Sequence, residues 1–172
     1  MDQRVEEIIA ECKRQEMSCL YTSTALFEWL KVVRVFRVAF IIVPIIAGTI
    51  ASAKILLKDS SFEWFTAICA LLAGLFPAIF KGLNLDVSQK SISDSANRFK
   101  TLQDRFRQTA HISVTKSVDE LEVEFNNLMD RMDSARSTNL AIPERYFSIA
   151  KEKIERGDYS FDEKEVKNER SA

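Results

Sequence analysis

The chain is short of the residues that turn a backbone, with only 4 glycines and 3 prolines among 172 residues. That supply is too small for the turns of an all-β fold, and a mainly helical chain follows. Basic residues show no surplus either: 24 Lys and Arg stand against 25 Asp and Glu, a net charge of -1, which excludes the cationic face a nucleic-acid binder lays along phosphates. Histidine occurs once, as His111, with no cysteine or paired carboxylate at ligand spacing beside it, so neither a metal site nor a catalytic imidazole is expected. The 3 cysteines, Cys12, Cys19 and Cys69, are odd in number and lack the short paired spacings of a zinc site; they read as reduced packing thiols of a cytosol-facing protein. No glycine-rich phosphate loop is present, since Gly48, Gly74, Gly82 and Gly157 are scattered. The mixed-charge opening MDQRVEEIIAECKRQ does not have the form of a cleaved leader. Acidic residues on the later helices, Asp119, Glu120, Glu122 and Glu124, fit a solvated face. No catalytic residue, cofactor or metal is expected, and the chain is not read as an enzyme.

What the chain does contain is two charge-free apolar runs. A mean hydropathy of -0.09 conceals them, because apolar residues crowd between Val38 and Leu85 while charges fill both flanks. Residues 38 to 57 make a first transmembrane helix if Lys54 snorkels to the headgroups, and residues 65 to 85 make a second if Lys81 does the same. The short polar connection over 58 to 64, centred on Lys58-Asp59-Ser60-Ser61, forces the two helices to return as an antiparallel hairpin. Phe62, Trp64 and Phe65 stand where an aromatic belt would meet the far interface. Lys31, Arg34 and Arg37 before the first span, with Lys81, Lys90 and Arg98 after the second, place both termini in the cytoplasm by the positive-inside rule.

Small residues recur at fourfold spacing in both spans: Ala47 with Ala51, Gly48 with Ser52, and Ala70, Gly74 and Ala78 in a row. Such rows let helix backbones approach closely where lipid removes the hydrophobic driving force, within the hairpin or between hairpins. Pro44 and Pro77 each free a backbone carbonyl inside a span, which could kink the helix or present a polar group to a lumen. These nine residues are the candidate helix-contact and pore positions.

The flanks read as cytoplasmic helices. Residues 1 to 37 carry an amphipathic helix with Val5, Ile8, Ile9, Cys12, Cys19, Ala25 or Leu26, and Trp29 or Leu30 along one stripe. Residues 86 to 157 form a helical region that continues from the second span, with Leu85, Ile92, Phe99 and Phe106 seven apart, and a break over 109 to 113. Val114, Val118, Leu121, Phe125, Leu128, Met132 and Ala135 then alternate steps of four and three, the seam of a coiled coil. Its partner is either the preceding helix folded back, with the N-terminal helix as third member, or another subunit. Pro143 opens a last helix over 144 to 156 with Tyr146, Phe147, Ala150 and Ile154 on its apolar side, Gly157 stops it, and the charged tail over 158 to 172 is expected to be disordered. The fold class is therefore all-α: a membrane protein with a two-helix hairpin and a cytoplasmic helical bundle or coiled coil.

This order of features, SCLYTSTALFEWLKVVRVFRVAF leading into the first span, AICALLAGLFPAIFKGLNLDVSQKSISDSANRFKTLQDRFRQ leading out of the second, and IPERYFSIAKEKIERGDY near the end, resembles the SLATT family over about residues 15 to 160. Those are two-transmembrane effector domains of bacterial nucleotide-sensing conflict systems. The resemblance implies an antiviral effector that oligomerises in the inner membrane and forms a pore or disrupts the bilayer. Its trigger would be a separately encoded synthase or sensor of a signalling nucleotide, because this chain has no second domain fit to bind one. The alternative is a non-conducting anchor or scaffold whose coiled coil recruits a partner. Membrane lipid and further copies of the chain are the expected partners, and nucleic acid is not.

Overall fold

A computed structural model describes residues 3–56, 63–82, 85–112 and 117–159. Among them the chain is all-α, with five helices: α1 (Gln3–Leu56), α2 (Glu63–Gly82), α3 (Leu85–Ile112), α4 (Val118–Ser137) and α5 (Glu144–Glu155). The polar connection at 58–61, Val114 of the seam and the tail beyond 159 lie outside the described residues. Two compact units result, one of Met1–Glu28 with Ser95–Ala172 and one of Trp29–Asp94.

The first unit is a bundle of the first half of α1, the second half of α3, α4 and α5. Its interior holds Cys12, Cys19 and Leu26 of α1, Phe99, Leu102 and Phe106 of α3, Leu121, Leu128 and Met132 of α4, and Tyr146 and Ala150 of α5. Cross-helix contacts fix the directions. Arg4 pairs with Glu122 at 2.7 Å, Cys19 Sγ lies 3.6 Å from Met132 Sδ, and Arg136 donates to Gln15 at 3.2 Å, so α4 runs parallel to α1. Thr109 donates to Glu124, Phe106 packs on Phe125 with ring centroids 6.5 Å apart, and Arg98 reaches Thr138, so α4 runs antiparallel to α3. Lys153 of α5 donates to Glu28 of α1 at 2.8 Å. The periodic apolar stripe on each helix is what these directions bury.

Local signals set the helix ends. Ser117 accepts from the Glu120 backbone N–H while the Glu120 side chain accepts from the Ser117 N–H, a capping box that satisfies two otherwise orphan donors at the start of α4. Pro143 is the N-cap of α5, one position before the first turn expected for it, and it opens the helix with no side-chain cap. Gly157 takes φ 90° just past Arg156, the left-handed conformation that ends a helix at little steric cost to glycine.

Several boundaries differ from the sequence reading. The turn expected over 109–113 is instead helix as far as Ile112, because Thr109 is buried and satisfied by Glu124 and so does not end α3. Glu63 and Trp64, assigned to the connection, already belong to α2. α2 is described as far as Gly82 and α3 from Leu85, and residues 83–84 between them lie outside the described residues. The unit boundaries fall at Glu28 and Ser95, about two and a half turns outside 37 and 86, so that buried Leu30 and Ile92 belong to the second unit. On α5, Phe147 is exposed and Ile154 half-buried, leaving Tyr146 and Ala150 as its buried anchors.

Candidate functional site

The second unit contains the candidate contact residues. α1 spans 54 residues, about 80 Å at 1.5 Å per residue, and it includes, among the described residues, the one segment long and apolar enough to cross a membrane by length and composition. α2 is shorter, 20 residues with an apolar core from Trp64 to Ile79.

The two helices meet through small side chains. Ala47 and Ala51 of α1 and Cys69 of α2 form one buried cluster. A methyl built on Gly48 would come 3.8 Å from the Ala73 Cβ, which is ordinary contact distance, so the backbones approach closely without a clash. Phe40 packs on Phe76 with centroids 5.3 Å apart. Pro44, which is buried, and Pro77, which is exposed, line one apolar cavity of about 390 Å³ together with Phe40, Ile41, Ile45 and Ala73. Both prolines therefore border the same void, where the missing N–H and the ring of each limit how tightly side chains close up.

Not every small residue faces this contact. Ala70, Gly74 and Ala78 are exposed, and outside its own helix no described residue lies within 4 Å of a methyl built on Gly74. Ser52 is exposed as well. The remaining outer surface is apolar: Ile41, Ile42, Val43, Ile45, Ile46 and Ile50 on α1, and Leu71, Leu72, Leu75 and Ile79 on α2. The hydroxyls on it are turned inward to their own helix, Thr49 donating to the Ile45 carbonyl at 2.8 Å and Ser52 to the Gly48 carbonyl at 2.9 Å. Each is thereby satisfied without water.

In the bundle, the seam residues Leu121, Leu128, Met132 and Ala135 are buried within a single chain, and Val118 and Phe125 are half-buried. Its chemistry is quiet. Burial pushes the Cys12 thiol up to about 11, helped by Glu11 and Glu124, and pushes the Cys19 thiol up to about 12 against a small opposing pull from Arg136. Thiols so far above the ordinary range hold their protons and are poor nucleophiles. Desolvation also raises Glu16, while the hydrogen bonds from Arg14 and Gln15 lower Glu11. Among the described residues no three of His, Cys, Asp and Glu converge as metal ligands would.

One cluster escaped the sequence reading: Arg98, Thr101 and Leu102 of α3 and Arg131, Ser134 and Ala135 of α4 line a groove of about 230 Å³. Comparison with protein families, with curated proteins and with solved structures gives no match to the chain.

Proposed function

We propose that the second unit crosses the bacterial inner membrane twice as a helical hairpin, with the bundle and both termini in the cytoplasm, and that several copies associate into a pore when triggered. The observation that carries this reading is the outer surface of α1 and α2. A contiguous wall of exposed Ile, Leu and Val, with its hydroxyls satisfied internally, is far more apolar than a protein surface in water sustains, and lipid is the solvent that suits it. α2 at 20 residues rises about 30 Å, the thickness of the hydrocarbon core. The exposed row of Ala70, Gly74 and Ala78 then supplies a face on which a second copy could pack backbone to backbone. The resemblance to the SLATT family supplies the trigger, a partner that makes or senses a signalling nucleotide, and the purpose, loss of membrane integrity in an infected cell.

A non-conducting anchor is the second reading. On that reading, exposed Val123, Phe147 and Ile149 on the bundle are the places where a recruited partner would bury apolar surface. Membrane potential separates the two. A voltage-sensitive dye is read in bacteria making the chain with its genomic neighbours under an activating challenge, and again with Gly74→Leu. A methyl at Gly74 meets no described residue within 4 Å beyond its own helix, so the first carbon of that leucine is accommodated without displacing a neighbour. Depolarisation that the substitution abolishes at equal membrane levels is expected. Depolarisation that persists would remove the small-residue row from the pore, and an unchanged potential in the parent would leave the anchor.

A further inference from the structure

The groove between α3 and α4 has a composition that nothing in the bundle's stability requires. Its two walls are built alike, Arg98-x-x-Thr101-Leu102 on one helix and Arg131-x-x-Ser134-Ala135 on the other, each giving a guanidinium, a hydroxyl and an apolar floor at i, i+3 and i+4. Leu102 and Ala135, both buried, form the floor, and the small Ala135 leaves the space above it open. No carboxylate lines the groove. Among the described residues neither arginine forms an ion pair, although Arg136, Lys100 and Arg107 on the same helices all do. Asp133, the nearest acid in sequence to Ser134, is held by Arg136 at 3.6 Å. Arg98 is steadied only by a neutral partner: its Nη1 donates to Thr138 Oγ1 at 3.4 Å, and that hydroxyl donates in turn to the Ser134 carbonyl at 3.0 Å. The Thr101 hydroxyl spends its proton on the Asn97 carbonyl, whereas the Ser134 hydroxyl makes no hydrogen bond of its own among the described residues and is free to donate.

We propose that this groove binds a phosphate monoester. Two guanidinium groups without carboxylate partners, on facing helices and beside a free hydroxyl, match the oxygens of a tetrahedral dianion better than any neutral or cationic ligand. Size narrows the class. At about 230 Å³ the groove falls below the roughly 300–1,000 Å³ of pockets that enclose a drug-sized ligand, so it takes the phosphate and leaves the rest of the molecule in solvent or in a headgroup layer. The inference rests on the bundle alone and stands or falls independently of the membrane reading.

The test is calorimetric titration of inorganic phosphate into the purified full chain in phosphatidylcholine nanodiscs, in phosphate-free buffer. Saturable binding is expected, weakened about tenfold or more by Arg98→Gln or Arg131→Gln, abolished by the pair together, and unchanged by Arg105→Gln, an exposed arginine of α3 that does not line the groove. Because a double substitution could loosen the bundle, Arg98→Lys and Arg131→Lys are run beside it; they keep the charge but lose the planar fork, and intermediate weakening is expected. Repeating the titration in discs containing phosphatidic acid identifies the source of the phosphate. Blocked binding there assigns the site to a lipid headgroup, and undiminished binding assigns it to a soluble ester. No saturable binding at tens of millimolar phosphate, or binding that survives the double substitution, would overturn the proposal.

Discussion

Met132 offers the sharpest test of whether the seam of α4 is satisfied inside one chain. It is 1% exposed, and its sulfur lies 3.6 Å from that of Cys19. Replacing it with alanine leaves a cavity, and buried Met→Ala substitutions cost about 2–5 kcal/mol. The middle of that range, about 3 kcal/mol, is the working value, a factor of roughly a hundred in the opening equilibrium. Cys19 itself is the reporter, in a background of Cys12→Ala and Cys69→Ala. With its thiol pushed up to about 12, direct reaction of the folded form with a disulfide reagent at mildly alkaline pH is suppressed by about three orders of magnitude relative to a free thiol near 8.5. Labelling therefore proceeds through the opened bundle, and its rate tracks the opening constant. Met132→Ala should speed labelling about a hundredfold, while Val123→Ala on the same helix, at a position 70% exposed, should change it by no more than about twofold. Leu121→Ala, buried about three turns earlier in the same helix and away from the Met132 sulfur that touches the thiol, should resemble Met132→Ala, which separates destabilisation from a hole cut directly over Cys19. Equal rates for Met132→Ala and Val123→Ala would refute the packing. An effect that grows on dilution of the protein would show that the seam is shared between subunits.

Three other outcomes follow from the same geometry. Because Cys12 and Cys19 have folded values raised above the unfolded one, the unfolded chain releases their protons first as pH rises; stability conferred below about 8.5 should fall between there and 11 to 12, by up to about 1.4 kcal/mol per pH unit for each thiol, and a Cys12→Ala, Cys19→Ala variant should show a flatter alkaline melting profile. In the Glu28–Lys153 pair the side chains are 10% and 27% exposed and 2.8 Å apart, so breaking the pair by Lys153→Met should cost about 1–2 kcal/mol in denaturant melts; an unchanged midpoint would place no weight on the pair. Ser117→Ala removes the capping box of α4 and should lower stability by about 1 kcal/mol, with amide exchange at the first turn of α4 accelerating before that of the core.

How much of this the sequence revealed depends on how often each signal repeats. The seam of α4 was legible because its four-three spacing recurs over three turns or more, and the stripe of α1 because Cys12, Cys19 and Leu26 fall seven apart. On α5 the signal is too short: Tyr146 and Phe147 are neighbours about 100° apart around the helix, only one of them can face inward, and twelve residues do not say which. The polar Thr109 looked like a helix end for want of its partner, since Glu124 lies fifteen residues on. The small-residue rows were visible in both apolar runs, but their facing was not, because lipid and a neighbouring helix accept the same residues, and it is the burial of Ala47 and Ala51 against Cys69 that assigns one row inward. The groove was missed for a related reason. Apolar periodicity finds Leu102 and Ala135 but is silent about the polar residues beside them, and the matching Arg-x-x-Thr and Arg-x-x-Ser steps acquire meaning only once α3 and α4 are known to lie side by side.

The internal seam also bears on the choice between effector and anchor. An anchor that recruits a partner through a coiled coil must present unburied a and d positions, yet Leu121, Leu128, Met132 and Ala135 are all buried within one chain. Recruitment would then have to use scattered positions such as Val123, Phe147 and Ile149, which exceed nothing unusual for a water-facing surface. The apolar surface without an occupant in water is instead on α1 and α2, where lipid or another copy is the natural partner. Oligomerisation through the proposed hairpin would have a face in Ala70, Gly74 and Ala78, whereas oligomerisation through the seam would first require the bundle to open, at a cost that Met132→Ala would lower. A substitution that loosens the bundle should therefore leave assembly through the spans intact, and one that blocks the Gly74 row should leave the bundle folded. Crosslinking yield in membranes for Gly74→Leu and for Met132→Ala distinguishes these routes: loss with the first alone supports assembly through the spans, and a gain with the second that survives Gly74→Leu would move assembly to the seam.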